Sequence, residues 1–396
     1  MFQTLNPVPP DPLLGVTEAF RADPSNAKVD LGVGVYRDVS GQTPVMAAVR
    51  AAEQQLLSQQ KSKVYVGQAG NRPFATAIEQ LALGAGHTAL TAKRAVTLQA
   101  PGGTGALRLG AEFLALAGYK GKVLVSDPTW ANHIPLMGGA GLATAAYPYY
   151  DRATGAVRAD AMLAALDAAE TGTVVLLHGS CHNPTGADLE PAQWRAVAEV
   201  MARRRLLPFV DMAYQGLGQG LDEDAYGLRL LAEKLPEVLV SISCSKNFGL
   251  YRERVGALTV VAENAAAAGV SMGHLQSLAR RNYSMPPDHG AAIVAGIFAD
   301  AALHRSWVAE LTTMRERVLG LRRGLADALR AEFGSSRFDF VARQNGMFSV
   351  LGLPPEAVQR LRSEHHVYTA PDSRVNIAGL IGTEIADVAR AVKCSL

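Results

Sequence analysis

The stretch Ser243–Gly256, SCSKNFGLYRERVG, decides how this chain is read. It follows an apolar run, Val238–Ile242, that has the character of a buried strand. Lys246 therefore stands near a strand end with Ser243, Ser245 and Arg254 around it. Burial or cationic neighbours lower an ammonium's pKa and leave an amine that can form a Schiff base. Two hydroxyls and a guanidinium suit a bound phosphate. An amine for an aldehyde, beside a cradle for a phosphate, points to pyridoxal phosphate. A polar loop with a chance Lys and Arg is the competing reading of these residues taken alone.

Further motifs lie on either side. PGGTGA (Pro101–Ala106) sits where a loop meets a helix, and its glycines let backbone N–H groups approach an anion at the helix N-terminus. Gly103 and Thr104 are the expected phosphate contacts, although ordinary Gly-rich turns look the same. HNPTG (His182–Gly186) follows a strand ending at His178. Asn183 precedes a proline, which holds it extended and aims its amide, as for a phenolic oxygen; a plain turn is the alternative. DMAYQG (Asp211–Gly216) closes the strand LPFVD. A carboxylate there needs a cation, and a protonated pyridine nitrogen would supply one. Tyr214 could reach the ring's oxygen, and an Asp that merely caps the next helix remains open. DSRVNIAG (Asp372–Gly379) sets Arg374 among apolar residues, able to clamp a carboxylate through two hydrogen bonds or to sit in a structural ion pair.

Composition bounds the class. The 396 residues, 48% hydrophobic and 19% charged, fit an ordinary globular chain of about two domains. A net charge of +2 argues against a nucleic-acid footprint. The densest basic clusters, Arg203–Arg205 and Arg322–Arg323, read as solvated helix faces. No run of eighteen apolar residues proposes a membrane span, and MFQTLNPVPPDPLLG shows no signal peptide. Cys181, Cys244 and Cys394 are odd in number and lack metal-type spacing, which predicts reduced thiols in a cytoplasmic protein and no metal site.

From Gly102 onward the chain alternates strand and helix, which predicts an α/β fold with a mostly parallel sheet. Expected strands are Val123–Ser126, Val174–His178, Pro208–Asp211, Val238–Ser243 and Ala257–Val261. Between and before them, Ala106–Ala117, Ala159–Ala169, Pro191–Arg205 and Tyr226–Lys234 read as helices. Ligands in such sheets bind at the carboxyl ends of the strands, where the candidate residues fall. A helix over His304–Phe333 leads to a small α/β lobe with a strand at Met347–Leu351. Residues 1–45 read as an arm with one apolar stretch, Val29–Tyr36, in which Gly34 marks either a bulge or a close backbone approach to a ligand. The expected divisions are 1–45 (arm and part of the small domain), 46–312 (large cofactor-binding domain) and 313–396 (small domain).

Taken together, LGVGVYRD (31–38), SDPTWANH (126–133), LHGSCHNPTG, DMAYQG, SCSKNFGLYRERVG, RRNYSMPP (280–287), QNGMFS (344–349) and SRVNIAGL resemble the class I aminotransferases, in their aspartate/aromatic branch. The resemblance implies the pyridoxal-phosphate-dependent transferase fold type I, with a mostly parallel seven-stranded sheet between helices and a small α/β domain. It implies that Lys246 binds the cofactor and moves the proton. Asp211, supported by His133, would hold the pyridinium, Asn183 and Tyr214 would meet the ring oxygen, and Trp130 would stack on the ring. Gly103, Thr104, Ser243, Ser245 and Arg254 would bind phosphate, joined by Tyr65 from the second subunit of a homodimer. Arg374 would take the substrate α-carboxylate beside the backbone of Gly34. Arg280, rather than its neighbour Arg281, would reach across the dimer to a side-chain carboxylate. His178 and His182 would serve as packing and hydrogen-bond support.

Two positions bear on the substrate. Met285 and Val64 stand where aspartate-selective relatives usually carry polar residues, and both make the surroundings more apolar. Each is worth about 1–2 kcal/mol toward an aromatic ring by area burial. The expectation is a ping-pong transaminase acting on aromatic amino acids and aspartate with 2-oxoglutarate; the alternative is an aspartate-specific enzyme. A lyase or decarboxylase on the same fold is the chemically nearest rival. A non-catalytic regulator is disfavoured because no helix-turn-helix candidate precedes residue 45.

Overall fold

The computed structural model describes residues 2–7 and 12–396. The chain start, on which the expectation of no signal peptide rests, falls partly outside them. Seven strands build the central sheet: β1 (Ala95–Pro101), β2 (Val123–Asp127), β3 (Thr144–Pro148), β4 (Val174–His178), β5 (Leu207–Met212), β6 (Val238–Ser243) and β7 (Val255–Val261). Their order is β1-β7-β6-β5-β4-β2-β3. Parallel pairing runs from β6 through β3, and β7 is antiparallel to both of its neighbours.

The continuous apolar runs follow from burial on both faces. Every residue of β4, β6 and β7 is buried, and successive side chains enter opposite cores. Val175, Leu177, Val240 and Ile242 join one core, whereas Val174, Leu176 and Leu239 join the other. Helix α1 (Gly102–Leu116) seals the second core with Leu107, Leu109 and Leu114, and α2 (Pro191–Arg204) seals the first with Trp194, Val197 and Met201. A capping box between Glu190 and Gln193, with Pro191 at the first helical position, starts α2 where the sequence placed it.

Two strands escape the hydrophobic pattern. β1 buries the polar Thr97 and Gln99, which are tolerated because Thr97 Oγ1 donates to Glu79 at 2.6 Å and Gln99 Nε2 to the Pro287 carbonyl at 2.7 Å. β3 (TAAYP) is an edge strand paired only with β2, so it needs less apolar surface. Consequently PGGTGA joins a strand, not a loop, to a helix, and α1 begins at Gly102 rather than Ala106.

The arm is tied to the distal part of the chain. Val29–Asp30 pairs in parallel with Val367–Tyr368, but the rest of Val29–Tyr36 is not strand, so Gly34 marks no bulge. An unforeseen helix, Pro12–Ala22, precedes it. Phe348–Val350 pairs antiparallel with Arg374–Asn376, flanked by helices Pro355–His365 and Ile385–Ser395. Helix α3 (Ala301–Phe333) spans both regions. Asp300 caps it through Ala302 and Leu303, and Gly334, at φ 60°, ends it in the left-handed conformation. It packs on Ala47–Gln59 and His289–Ala299 as well as on Ile385–Ser395.

One expectation about charge fails here. Arg203 and Arg323 are exposed, but Arg322 is fully buried, because its guanidinium is saturated by backbone carbonyls and Ser349. Among the described residues no helix is long and apolar enough to cross a membrane.

Candidate active site

The parallel strands β4, β5 and β6 place His178, Asp211 and Ser241 in register, so the chemistry-bearing residues that follow emerge along one edge of the sheet. There a cavity of about 260 Å³ opens. Lys246, Asp211, Tyr214, Asn183, Trp130, Gly103, Thr104, Ser243, Ser245, Arg254 and Gly34 all line it, which brings together most of the residues read from sequence. Leu107, Ala213 and Tyr251 line it as well and were missed. Leu107 follows Thr104 by one helical turn and Ala213 lies between two selected residues, so spacing could have found both. Tyr251 carried no signal beyond its place inside SKNFGLYRER; its hydroxyl accepts from the Tyr36 N–H at 3.0 Å.

Lys246 lines the pocket with its amine turned toward Tyr214. Its Nζ lies 4.8 Å from the Tyr214 ring centre. Burial lowers its pKa to about 8, the positive charges of Arg254 and Arg374 push the same way, and Asp211 opposes them. Burial by itself would raise the Asp211 carboxyl, but the hydrogen bond and charge of His133, with the charge of Lys246, overcome it and hold the group ionised. His133 Nε2 lies 3.1 Å from Asp211 Oδ2, and its Nδ1 lies 2.8 Å from Thr129 Oγ1. Trp130 meets the His133 ring edge-on at 5.3 Å.

The other histidines stack behind this pair. His178 lies 5.1 Å from His133 and 4.0 Å from His182, ring centre to ring centre. Burial drives its pKa down to about 3, so it is neutral, and neither nitrogen has a protein partner. His182 bonds Ser126 and Thr185. Packing thus describes His178, and hydrogen-bond support describes His182. His133, His178 and Asp211 also bring their ligating atoms within 4.8 Å of one another.

The phosphate-type cradle is closed by shape. A Cβ on Gly102 would lie 2.3 Å from Arg254 Nη2, and one on Gly256 would lie 2.5 Å from the Gly102 carbonyl carbon. Only glycine allows β7, α1 and the arginine to meet there. Arg254 Nη1 donates to Ser245 Oγ at 3.2 Å and to the Tyr251 carbonyl at 3.0 Å, and it has no ion pair among the described residues. A guanidinium, two hydroxyls and a helix N-terminus without a countercharge fit a phosphate. The lysine, the ionised Asp211 and this cradle together fit pyridoxal phosphate.

The remaining expected residues, those on the substrate side and Tyr65 at the phosphate, are divided. Arg374 is buried against Phe348, its guanidinium 4.4 Å from the ring centre. It donates to the Gly32 carbonyl at 2.9 Å and to Asn183 Oδ1 at 3.3 Å, while its Nε has no partner. Among the described residues no carboxylate pairs with its guanidinium, which goes against a structural ion pair there. A Cβ on Gly34 would lie 2.8 Å from Phe348 Cζ, so close packing is what that glycine permits. By contrast, Tyr65 and Val64 are 86% and 78% exposed, and Arg280 lies on the surface bonded to Ser284 Oγ. None of these three lines the cavity of its own chain.

Fold and site together define a lysine-based pyridoxal-phosphate enzyme of fold type I. The chain belongs to the family Aminotransferase class I and II, whose profile matches residues 26–392. It is 47% identical to the aromatic-amino-acid aminotransferase of Paracoccus denitrificans over 99% of both chains. Its structure matches that of the aromatic-amino-acid aminotransferase of Burkholderia pseudomallei covalently bound to pyridoxal phosphate, at TM-score 0.97 and 44% identity, covering 100% of this chain and 99% of the other. A psychrophilic aromatic amino acid aminotransferase from Psychrobacter sp. B6, cocrystallised with aspartic acid, matches at TM-score 0.97 and 42% identity, covering 100% and 99%.

Proposed function

We propose that this chain transfers the amino group of aromatic amino acids, and of aspartate, to 2-oxoglutarate. The observation that carries the reading is the pairing, in one cavity, of a lysine whose amine is held near pKa 8 with an ionised Asp211 and a phosphate cradle free of acidic partners. When bound, pyridoxal phosphate supplies an aldehyde and an electron-accepting ring. Asp211 is the residue that would face the ring nitrogen, with His133 fixing its orientation. Asn183 Nδ2 and the Tyr214 hydroxyl, 3.4 Å apart, would share the ring oxygen, and Trp130 would cover the ring face. Gly103, Thr104, Ser243, Ser245 and Arg254 would hold the phosphate.

Lys246 then carries the proton at the substrate α-carbon, because its amine is buried and near neutrality. Arg374, with the backbone at Gly34, would orient the α-carboxylate. The exposure of Tyr65, Val64 and Arg280 supports a homodimer in which these residues complete the neighbouring site. A division at 45 and 312 fits a small lobe made of the arm and the distal chain. Three unpaired cysteines, two of them buried, favour a reducing, cytoplasmic setting.

The aromatic reading draws on Met285 and Val64 and on the relatives' names, and aspartate use on Arg280. The test is the half-reaction, followed as loss of the cofactor absorbance after mixing with aspartate, phenylalanine or tyrosine. Comparable kcat/KM for both classes is expected. A preference of about 10³ for aspartate, roughly 4 kcal/mol, would instead establish the aspartate-specific enzyme.

A further inference from the structure

Among the described residues Arg322, outside the cavity and fully buried, has every guanidinium nitrogen bonded. Its Nη1 donates to the Val341 carbonyl at 3.0 Å and to Ser349 Oγ at 2.8 Å. Its Nη2 reaches the carbonyls of Asn345 at 2.7 Å, Gly346 at 2.8 Å and Phe348 at 2.5 Å, and Nε bonds Gly346 again at 3.0 Å. Among the described residues no carboxylate lies within ion-pairing distance. Burial lowers its pKa to about 10, so it stays charged at neutral pH.

What these carbonyls belong to gives the arginine a task. The loop 345–348 carries Phe348, whose ring lies against the Arg374 guanidinium at 4.4 Å and meets Tyr214 edge-on at 6.2 Å. The same loop docks on the end of HNPTG, where the Asn345 N–H donates to the Gly186 carbonyl at 2.8 Å. Gly186 has φ 71°, and a Cβ there would lie 2.3 Å from the Phe348 carbonyl and 2.9 Å from Arg322 Nη2. HNPTG also supplies Asn183, the acceptor from Arg374. Thus two of the features that fix Arg374, the Phe348 ring and the Asn183 amide, sit on segments that meet at the Asn345–Gly186 bond, one of them held by the Arg322 guanidinium.

We infer that Arg322 is a positioning residue for the substrate-carboxylate site. From helix α3 it holds the segment 345–348, and through the Asn345–Gly186 bond the HNPTG turn, in the register that sets Phe348 and Asn183 against the Arg374 guanidinium. Only arginine offers five donors in a planar fork; lysine offers three on a point charge and would leave carbonyls unpaired. The inference rests on the transaminase reading, through Arg374 as the carboxylate ligand.

The test uses the cofactor-loaded full chain and two variants, Arg322→Lys and Ser349→Ala. The first loses the fork and the second one acceptor. The probe is 3-phenylpropionate, a monocarboxylate that cannot react, titrated by its effect on cofactor absorbance, alongside KM and kcat for phenylalanine and cofactor retention. Arg322→Lys is expected to weaken the probe and raise KM by about 10-fold or more, with kcat within about 3-fold and cofactor retention unchanged. Ser349→Ala is expected to weaken the probe by about 2- to 5-fold, and it decides the matter if Arg322→Lys does not fold. Unchanged probe affinity in either folded variant overturns the inference. So does a loss of cofactor in step with the loss of probe, which would mark a merely structural arginine. If the unaltered protein bound no carboxylate, the functional reading itself would fall instead.

Discussion

The two ends of the cavity are built differently. The cofactor end is the more complete within one chain: Asp211, His133, Gly103, Ser243 and Ser245 are buried, and Lys246, Thr104 and Arg254 line the cavity beside them. The residues expected to come from a second subunit, Tyr65 at the phosphate and Arg280 at the substrate side chain, lie with Val64 on the surface of the same chain. Most of the cofactor end is therefore a property of the fold of one chain, while Tyr65 and Arg280 stand apart from that cavity. An exposed Tyr65 beside Val64 and Val66 is apolar surface of the kind an interface covers.

The largest expected effect lies at the cofactor end. Lys246→Ala should cut turnover by at least about 10³ while the cofactor still binds, since a positioned base contributes about 10²–10⁴. Persisting turnover would break the assignment of the proton carrier. Arg280→Ala should lower kcat/KM for aspartate by about 10- to 150-fold and that for phenylalanine much less, because one hydrogen bond to a charged group is worth about 1.5–3 kcal/mol. Coexpression with Lys246→Ala sharpens the contrast. If Arg280 serves the neighbouring site, each hybrid dimer regains one intact site and aspartate activity returns; if it serves its own, activity stays low. Met285→Asn should shift preference from phenylalanine toward aspartate by about 5- to 30-fold, read as a ratio of kcat/KM values.

The smallest effect is a slope. With the lysine pKa at about 8, capture of pyridoxal phosphate by the cofactor-free chain should speed up about tenfold per pH unit below 8 and level off above it. An inflection near the ordinary 10.5 would mean that burial does not tune the amine. Between about 8 and 10.5 the unfolded chain binds the proton that the folded one has lost, so this group's contribution makes the cofactor-free fold gain stability as pH rises through that window.

The same contrast explains what the sequence disclosed. β4, β5 and β6 were legible because strands covered on both faces must be continuously apolar. β1 was not, because Thr97 and Gln99 are satisfied by partners distant in sequence, Glu79 and Pro287. The cradle and the aspartate were legible because their residues follow strand ends within short motifs. Arg322 was misread as solvated because its partners are backbone carbonyls, which carry no side-chain signal. Leu107 and Tyr251 passed unnoticed for a related reason: an apolar or phenolic residue shows no chemistry until the fold turns it toward a cavity.

The reversed strand β7 has a consequence for movement. Because it returns antiparallel beside β6, with Ser243 opposite Gly256 and the Cys244 N–H bonded to the Val255 carbonyl at 3.0 Å, the segment bearing Lys246 is a loop fastened at both feet. The backbone under the Lys246 amine is thereby a fixed mooring, and any travel of that amine within the cavity would fall to the side chain, a tether of four methylenes swinging from an anchored post.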